Sequence, residues 1–131
     1  ALGELEIEVL GTPGHTDDSL SFRVGTNVFT GDALFIRGSG RTDFQNGDPA
    51  QLFDSITRVL FALPDATTVW PGHDYKGMSS STIGEEKRLN PRIAGNTREQ
   101  FIDIMNNLNL AAPRKLAESV PANLSCGRIS N

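Results

Sequence analysis

The stretch TPGHTDDSLSFRVGTNVFTGDAL, Thr12 to Leu34, decides how this 131-residue chain folds. Within it Leu20, Phe22 and Val24 alternate with Ser21 and Arg23, the period of a strand with one dry face. Gly25-Thr26-Asn27 supplies a turn and Val28-Phe29-Thr30 runs back, so a β-hairpin is expected across residues 19–30. Polar loops flank it, Thr12 to Asp18 before and Gly31-Asp32 after, and these loops hold His15 and Asp32. Upstream, Leu5, Ile7 and Val9 alternate with Glu4, Glu6 and Glu8, which adds a strand with one wet face.

Downstream, residues 37–47 hold three glycines and no periodicity, the composition of an exposed, shaped loop. Asp48 is placed to cap a helix whose first residue is Pro49. Leu52, Phe53, Ile56, Val59, Leu60 and Leu63 come next at helical spacing, so an amphipathic helix is expected over 49–62, stopped by Pro64. Thr67 to Trp70 reads as a short strand that delivers Pro71-Gly72-His73. Thr82 and Glu85 suggest a capping box for a helix to Leu89, ended by Asn90-Pro91. Thr97 and Gln100 suggest another, with Phe101, Ile104, Met105 and Leu108 on one face of a helix over 97–108. Pro113 is expected to open a short last helix, and the tail from Val120 reads as irregular. Phe29, Trp70 and Phe101 are assigned to the core. Strands and helices together give an α/β (α+β) layered domain over residues 1–131, with no repeat or linker.

Bulk properties exclude several classes. The formal charge is −4 and no basic run occurs, which argues against a nucleic-acid surface. The apolar runs are too short for a membrane helix, and no secretory leader is visible at Ala1. A single cysteine, Cys126, rules out an internal disulfide framework and a cysteine-cluster zinc site, and points to a reducing compartment. Nothing near Cys126 would lower its thiol pKa, so it reads as inert.

The chemistry concentrates at strand ends. The chain has two histidines, and both sit in Pro-Gly-His: Pro13-Gly14-His15 and Pro71-Gly72-His73. Asp32 ends a third strand. Two imidazoles and a carboxylate on three strand-end loops form a first shell suited to zinc or iron(II). The plain alternative for Asp32 is a side-chain-capped turn, and for Asp74 a solvated turn carboxylate, against a role in orienting an imidazole. Arg37 and Arg41 are either surface charge or an anion-recognition pair. Tyr75, the one tyrosine, follows a candidate ligand closely enough for its hydroxyl to reach a substrate.

Taken together, Thr12-Pro13-Gly14-His15-Thr16, Phe29-Thr30-Gly31-Asp32-Ala33-Leu34 and residues 37–45 (RGSGRTDFQ) resemble the metallo-β-lactamase superfamily, and within it the persulfide dioxygenase branch. Pro71-Gly72-His73-Asp74-Tyr75 and residues 85–92 (EEKRLNPR) extend the resemblance over roughly residues 5–125. The resemblance implies the C-terminal half of an αββα sandwich. It implies one iron(II) per complete site, with zinc as the alternative metal, and oxidation of glutathione persulfide by O2 to glutathione and sulfite.

By the same carry-over, His15 and Asp32 are metal ligands. His73 occupies a second-metal position that in mono-iron relatives lies near the metal without ligating it. Arg41, Asp43, Tyr75 and Arg92 fall on positions expected to hold the glutathione moiety. The remaining ligand belongs to a His-x-His-x-Asp-His motif in the N-terminal half of the fold, which this sequence lacks. That half is therefore the expected partner, a homodimer is compatible with the family, and neither nucleic acid nor membrane is expected. Ser39 stands where family members often carry cysteine. Bacterial cytoplasm is the default location, with the mitochondrial matrix as the alternative. Two rivals remain: a dinuclear hydroxyacylglutathione hydrolase of the glyoxalase II type, and a non-catalytic pairing module. A nuclease of the superfamily is disfavoured by the acidic balance.

Overall fold

The computed structural model describes residues 3–108; the helix expected from Pro113, the tail from Val120 and Cys126 fall outside them. A five-stranded sheet forms in the order β1 (Glu8–Gly11), β2 (Leu20–Val24), β3 (Asn27–Gly31), β6 (Thr68–Pro71), β7 (Ser81–Thr82). All neighbours are antiparallel except β3 and β6, which run parallel and so bring their C-terminal ends to one edge. The hairpin is as the sequence indicates: Gly25, at φ +57, opens a two-residue turn between Val24 and Asn27. The first strand is shorter than the alternation suggests, beginning at Glu8 and not Leu5. β4 (Leu34–Phe35) and β5 (Gly38–Ser39) make a separate small hairpin next to the site.

One face of the sheet is covered by helices. Asp48 Oδ1 accepts from the Ala50 and Gln51 N–H groups, and Pro49 opens α1 (Pro49–Asp54). The expected helix continues, but it widens to a π turn over Ser55–Val59 and tightens to a 3-10 turn over Leu60–Ala62. α2 (Ile83–Leu89) starts from Thr82, whose Oγ1 accepts from the Glu85 N–H. The reciprocal half of that box is replaced: the Glu85 carboxylate turns instead to Ser81 Oγ and Arg37. α3 (Arg98–Asn106) has the full box between Thr97 and Gln100. Val28, Leu34, Leu52, Ile56, Leu60, Val69, Ile83, Phe101 and Met105 form one continuous core between helices and sheet.

The other sheet face is open. Val9 pairs with Phe22, Phe22 with Phe29, and Phe29 with Trp70, so four apolar side chains form one row across four strands. The core assignment of Phe29 and Trp70 is corrected here, since they are 45% and 38% exposed. Alternation along β3 and β6 sends Val28 and Val69 to the helices and leaves Phe29 and Trp70 on the opposite face. A contiguous apolar face of this kind marks a surface made to be covered.

Candidate metal centre

Three strand-end loops meet at the edge where β3 and β6 finish together. The register of β3 on β6 shifts between Phe29 and Gly31, leaving Thr30 as an extra residue, buried, with its Oγ1 donating to the Leu34 carbonyl at 2.7 Å. Such a bulge turns the strand end and re-aims the residues beyond it, here Asp32. The His15 loop is pinned to the helix layer. Ser55 Oγ donates to the Pro13 carbonyl at 2.7 Å, and the Asp48 N–H donates to the Gly14 carbonyl at 2.8 Å. Gly14 holds φ +140, and a Cβ there would lie 2.4 Å from the Leu52 backbone, so this loop closes only with glycine. The His73 loop is tied to β3 by the Gly72 N–H, which donates to the Gly31 carbonyl at 2.7 Å.

The loops place both imidazoles on one carboxylate. His15 Nε2 lies 3.4 Å from Asp32 Oδ2, and His73 Nδ1 lies 2.5 Å from Asp32 Oδ1. The two distances differ in kind. Ligands about 2.0–2.2 Å from one ion and about 90–110° apart stand roughly 3.0–3.5 Å from each other. The His15–Asp32 gap therefore suits two donors sharing a metal, whereas the His73–Asp32 gap is a hydrogen bond.

His15 is also oriented for such a role. Its Nδ1 lies 2.7 Å from the Arg41 carbonyl oxygen. A carbonyl only accepts, so Nδ1 carries the proton and Nε2 is the nitrogen turned toward Asp32. Gly40 permits this approach: a Cβ there would fall 1.8 Å from the Asp32 carbonyl oxygen and 3.0 Å from His15 Nδ1. These donors match zinc or iron(II) in type but are too few to enclose an ion. Among the described residues, no three histidine, cysteine, aspartate or glutamate side chains form a complete cage.

A cleft of about 440 Å³ opens onto these groups and is also lined by Phe35, Arg41, Tyr75, Lys76 and Arg92. A hollow of about 730 Å³ near the β1–β2 edge is larger but has neither histidine in its lining. Arg41 is gripped side-on by Asp43, with Nε–Oδ1 at 2.7 Å and Nη2–Oδ2 at 2.8 Å, and lies 4.4 Å over the Phe44 ring. The hydrogen bond raises Arg41 above its ordinary pKa and holds Asp43 below its own. Arg92 Nη1 donates to the Ser39 carbonyl at 2.6 Å, and burial lowers its pKa without discharging it. Tyr75 is 77% exposed and lies parallel to His73, with ring centroids 6.0 Å apart.

Of the candidates from sequence, His15, Asp32, His73, Arg41, Tyr75 and Arg92 line the one cleft, and Asp43 reaches it through Arg41. Arg37 also lines the cleft, but as a paired charge and not an open anion site. Its guanidinium pairs with Glu86, a carboxylate with no solvent exposure. Asp74 follows its plain reading, accepting from the Lys76 and Met78 N–H groups in a turn. Sequence reasoning misses Lys76, Phe35 and Glu86. Lys76 adjoins Tyr75, but no pattern in the sequence sets it apart.

The model of the metallo-beta-lactamase superfamily matches residues 2–73, which include His15, Asp32 and His73. Mitochondrial persulfide dioxygenase ETHE1 of Mus musculus is 44% identical over 127 residues, 95% of this chain and 50% of the relative. The chain thus spans about half the length of such curated relatives. The crystal structure of ETHE1 from Myxococcus xanthus superposes with a TM-score of 0.92 at 62% identity, over 98% of this chain and 57% of that one. A protein solved in a di-iron-bound form gives a TM-score of 0.59 at 41% identity, over 65% of this chain and 41% of that one. The fold implies a metal. On the family match and the strand-end histidines it contains, the chain belongs to the metallo-β-lactamase superfamily.

Proposed function

We propose that this chain is the C-terminal half of an iron-dependent persulfide dioxygenase that converts glutathione persulfide and O2 to glutathione and sulfite. One observation carries the reading: His15 Nε2 and Asp32 Oδ2 stand 3.4 Å apart, at ligand-pair spacing, in a cleft that also presents arginines. The name of the 44% identical relative supports the same activity.

In this reading His15 and Asp32 hold the iron, and the missing ligand comes from the N-terminal half that completes the sandwich. Bound iron(II) supplies a redox-active centre with positions left free for the reactants. His73 donates its Nδ1–H to Asp32 Oδ1 and so fixes the carboxylate's rotation. Arg41 and Arg92 bind the carboxylates of the glutathione portion. Asp43 holds the Arg41 guanidinium in one plane, and Tyr75 closes the mouth beside His73. Phe35 packs edge-on to His73 and Tyr75 and excludes water from that wall. The overall reaction balances as one persulfide, one O2 and one water giving one thiol, one sulfite and two protons, with four electrons passing from the persulfide to O2. Zinc suits the same donors but has no redox chemistry. Of the two locations expected, the mitochondrial one accords with a relative named as mitochondrial.

One geometric feature favours a second reading. Asp32 divides its two oxygens between two imidazoles, as a carboxylate bridging two metals would, and one structural relative is di-iron-bound. That arrangement would suit a thioester hydrolase of the glyoxalase II type. An oxygen-electrode assay on the full-length protein separates them. Uptake of one O2 per sulfite formed from glutathione persulfide is expected; thioester hydrolysis with no O2 uptake would overturn the dioxygenase reading.

A further inference from the structure

The β4–β5 hairpin turns through Ile36 and Arg37, and Arg37 sits at φ +59, in the left-handed region where a side chain is disfavoured. Nothing in the hairpin itself demands arginine there. Its shortest contacts run to one buried carboxylate 49 residues away on α2, with Glu85 and Ser81 at longer range on the guanidinium and Lys76 Nζ on the carbonyl. Glu86 Oε1 accepts the Arg37 backbone N–H at 2.7 Å, and Glu86 Oε2 accepts from the Arg37 guanidinium and from Ser81 Oγ. Asn90, which caps the C-terminus of α2 and is equally buried, donates to Glu86 Oε1 at 3.1 Å and to the Gly38 carbonyl at 3.0 Å. Backbone and side chain of Arg37 are thus both clamped by the same carboxylate.

The clamped hairpin leads directly into Gly40 and Arg41. Gly40 lies against the Asp32 carbonyl and the His15 ring, and the Arg41 carbonyl accepts the His15 Nδ1–H. Strained backbone that is over-determined by its surroundings concentrates where geometry matters to function. We infer that Glu86 is a positioning residue for His15: through Arg37 it fixes the 38–41 segment whose carbonyl selects the imidazole's tautomer and orientation. As a statement about a metal centre, this rests on the reading that His15 is a ligand. As a statement about the imidazole, it does not.

The test uses the full-length protein labelled with 15N-histidine, in wild-type, Glu86→Gln and Arg37→Gly forms, with Lys87→Ala as a control on α2 outside the clamp, where Lys87 pairs with Asp65. Glutamine keeps the shape of Glu86 but loses the charge. Glycine at 37 accepts the backbone angle and removes the guanidinium, so it serves if Glu86→Gln does not fold. Two readouts are taken: solvent exchange of the His15 Nδ1–H in the apoprotein, and the dissociation constant for Fe(II). Exchange at least tenfold faster and Fe(II) binding about tenfold weaker are expected in the folded clamp variants, with no change in Lys87→Ala. Wild-type exchange in a folded clamp variant would overturn the proposal. If His15→Ala leaves Fe(II) binding intact, the metal reading fails, and the exchange measurement still decides whether Glu86 positions the ring.

Discussion

His15 donates its Nδ1–H to the backbone carbonyl of Arg41 at 2.7 Å, and that bond joins the imidazole beside Asp32 to an arginine that lines the same cleft. The acceptor belongs to the main chain, so ring orientation and guanidinium chemistry are separable by mutation.

Arg41→Ala should therefore leave iron content intact while weakening substrate binding. Loss of one charge-assisted contact of about 1.5–3 kcal/mol corresponds to a rise in KM of about 10- to 150-fold. Asp43→Asn should give a smaller rise, because Arg41 keeps its charge and loses its grip. Steady-state kinetics with parallel metal analysis checks both; iron lost from Arg41→Ala would make that arginine structural.

The three strand-end residues should separate into two classes. Asp32→Ala and His15→Ala each remove a donor at ligand spacing and should abolish iron binding. His73→Ala removes a hydrogen-bond partner of Asp32 and should weaken iron binding about 10- to 100-fold without abolishing it. Equilibrium titration with Fe(II) discriminates. Retained stoichiometric iron in Asp32→Ala would show that Asp32 is no ligand.

The sheet's two faces should respond differently. Phe101 is fully buried between α3 and the core, so Phe101→Ala should cost about 3–5 kcal/mol in denaturant unfolding. Phe29 lies on the open face, and Phe29→Asp should spare this half's own secondary structure. The same change should block association with the N-terminal half supplied as a separate polypeptide, since an unpaired charge would enter the contact. Association surviving Phe29→Asp would show that this face is not the one covered.

The features legible in the sequence are the local ones. The hairpin turn at Gly25, the Asp48–Pro49 helix start and the Thr97–Gln100 box each need only residues a few positions apart. The site is legible for a related reason: histidine follows Pro-Gly at the ends of two strands, and parallel pairing of β3 and β6 brings strand ends together. Phe29 and Trp70 are misread because alternation shows that a strand has two faces without showing which is covered. The Arg37–Glu86 clamp joins residues 49 apart and leaves no periodic trace. The spacing gives Glu85 the closing role in a capping box, but Ser81 and Arg37 compete for its carboxylate. The widening at Ser55–Val59 has no counterpart in the apolar spacing, which reads equally well as regular helix.

Acid sensitivity should have a traceable surface component. Arg98 hydrogen-bonds Asp54 at 3.0–3.1 Å, linking α3 to α1, and holds that carboxyl below its ordinary pKa. A carboxyl lowered in the folded state stabilises the fold above its unfolded pKa and ceases to do so as pH falls through the folded one. The contribution is therefore complete near neutrality and lost below about pH 4. Asp54→Asn should lower Tm slightly at pH 7 and flatten its fall between about pH 5 and 3; an unchanged slope would show that the pair contributes nothing measurable.

In the proposed centre His15 and Asp32 share one iron with a ligand from the other half of the fold. Plasma mass spectrometry of the full-length protein, purified anaerobically and loaded with Fe(II), tests it most directly. One iron per complete site, falling to none in Asp32→Ala, is the predicted result; two metals per site, or one that survives Asp32→Ala, would contradict it.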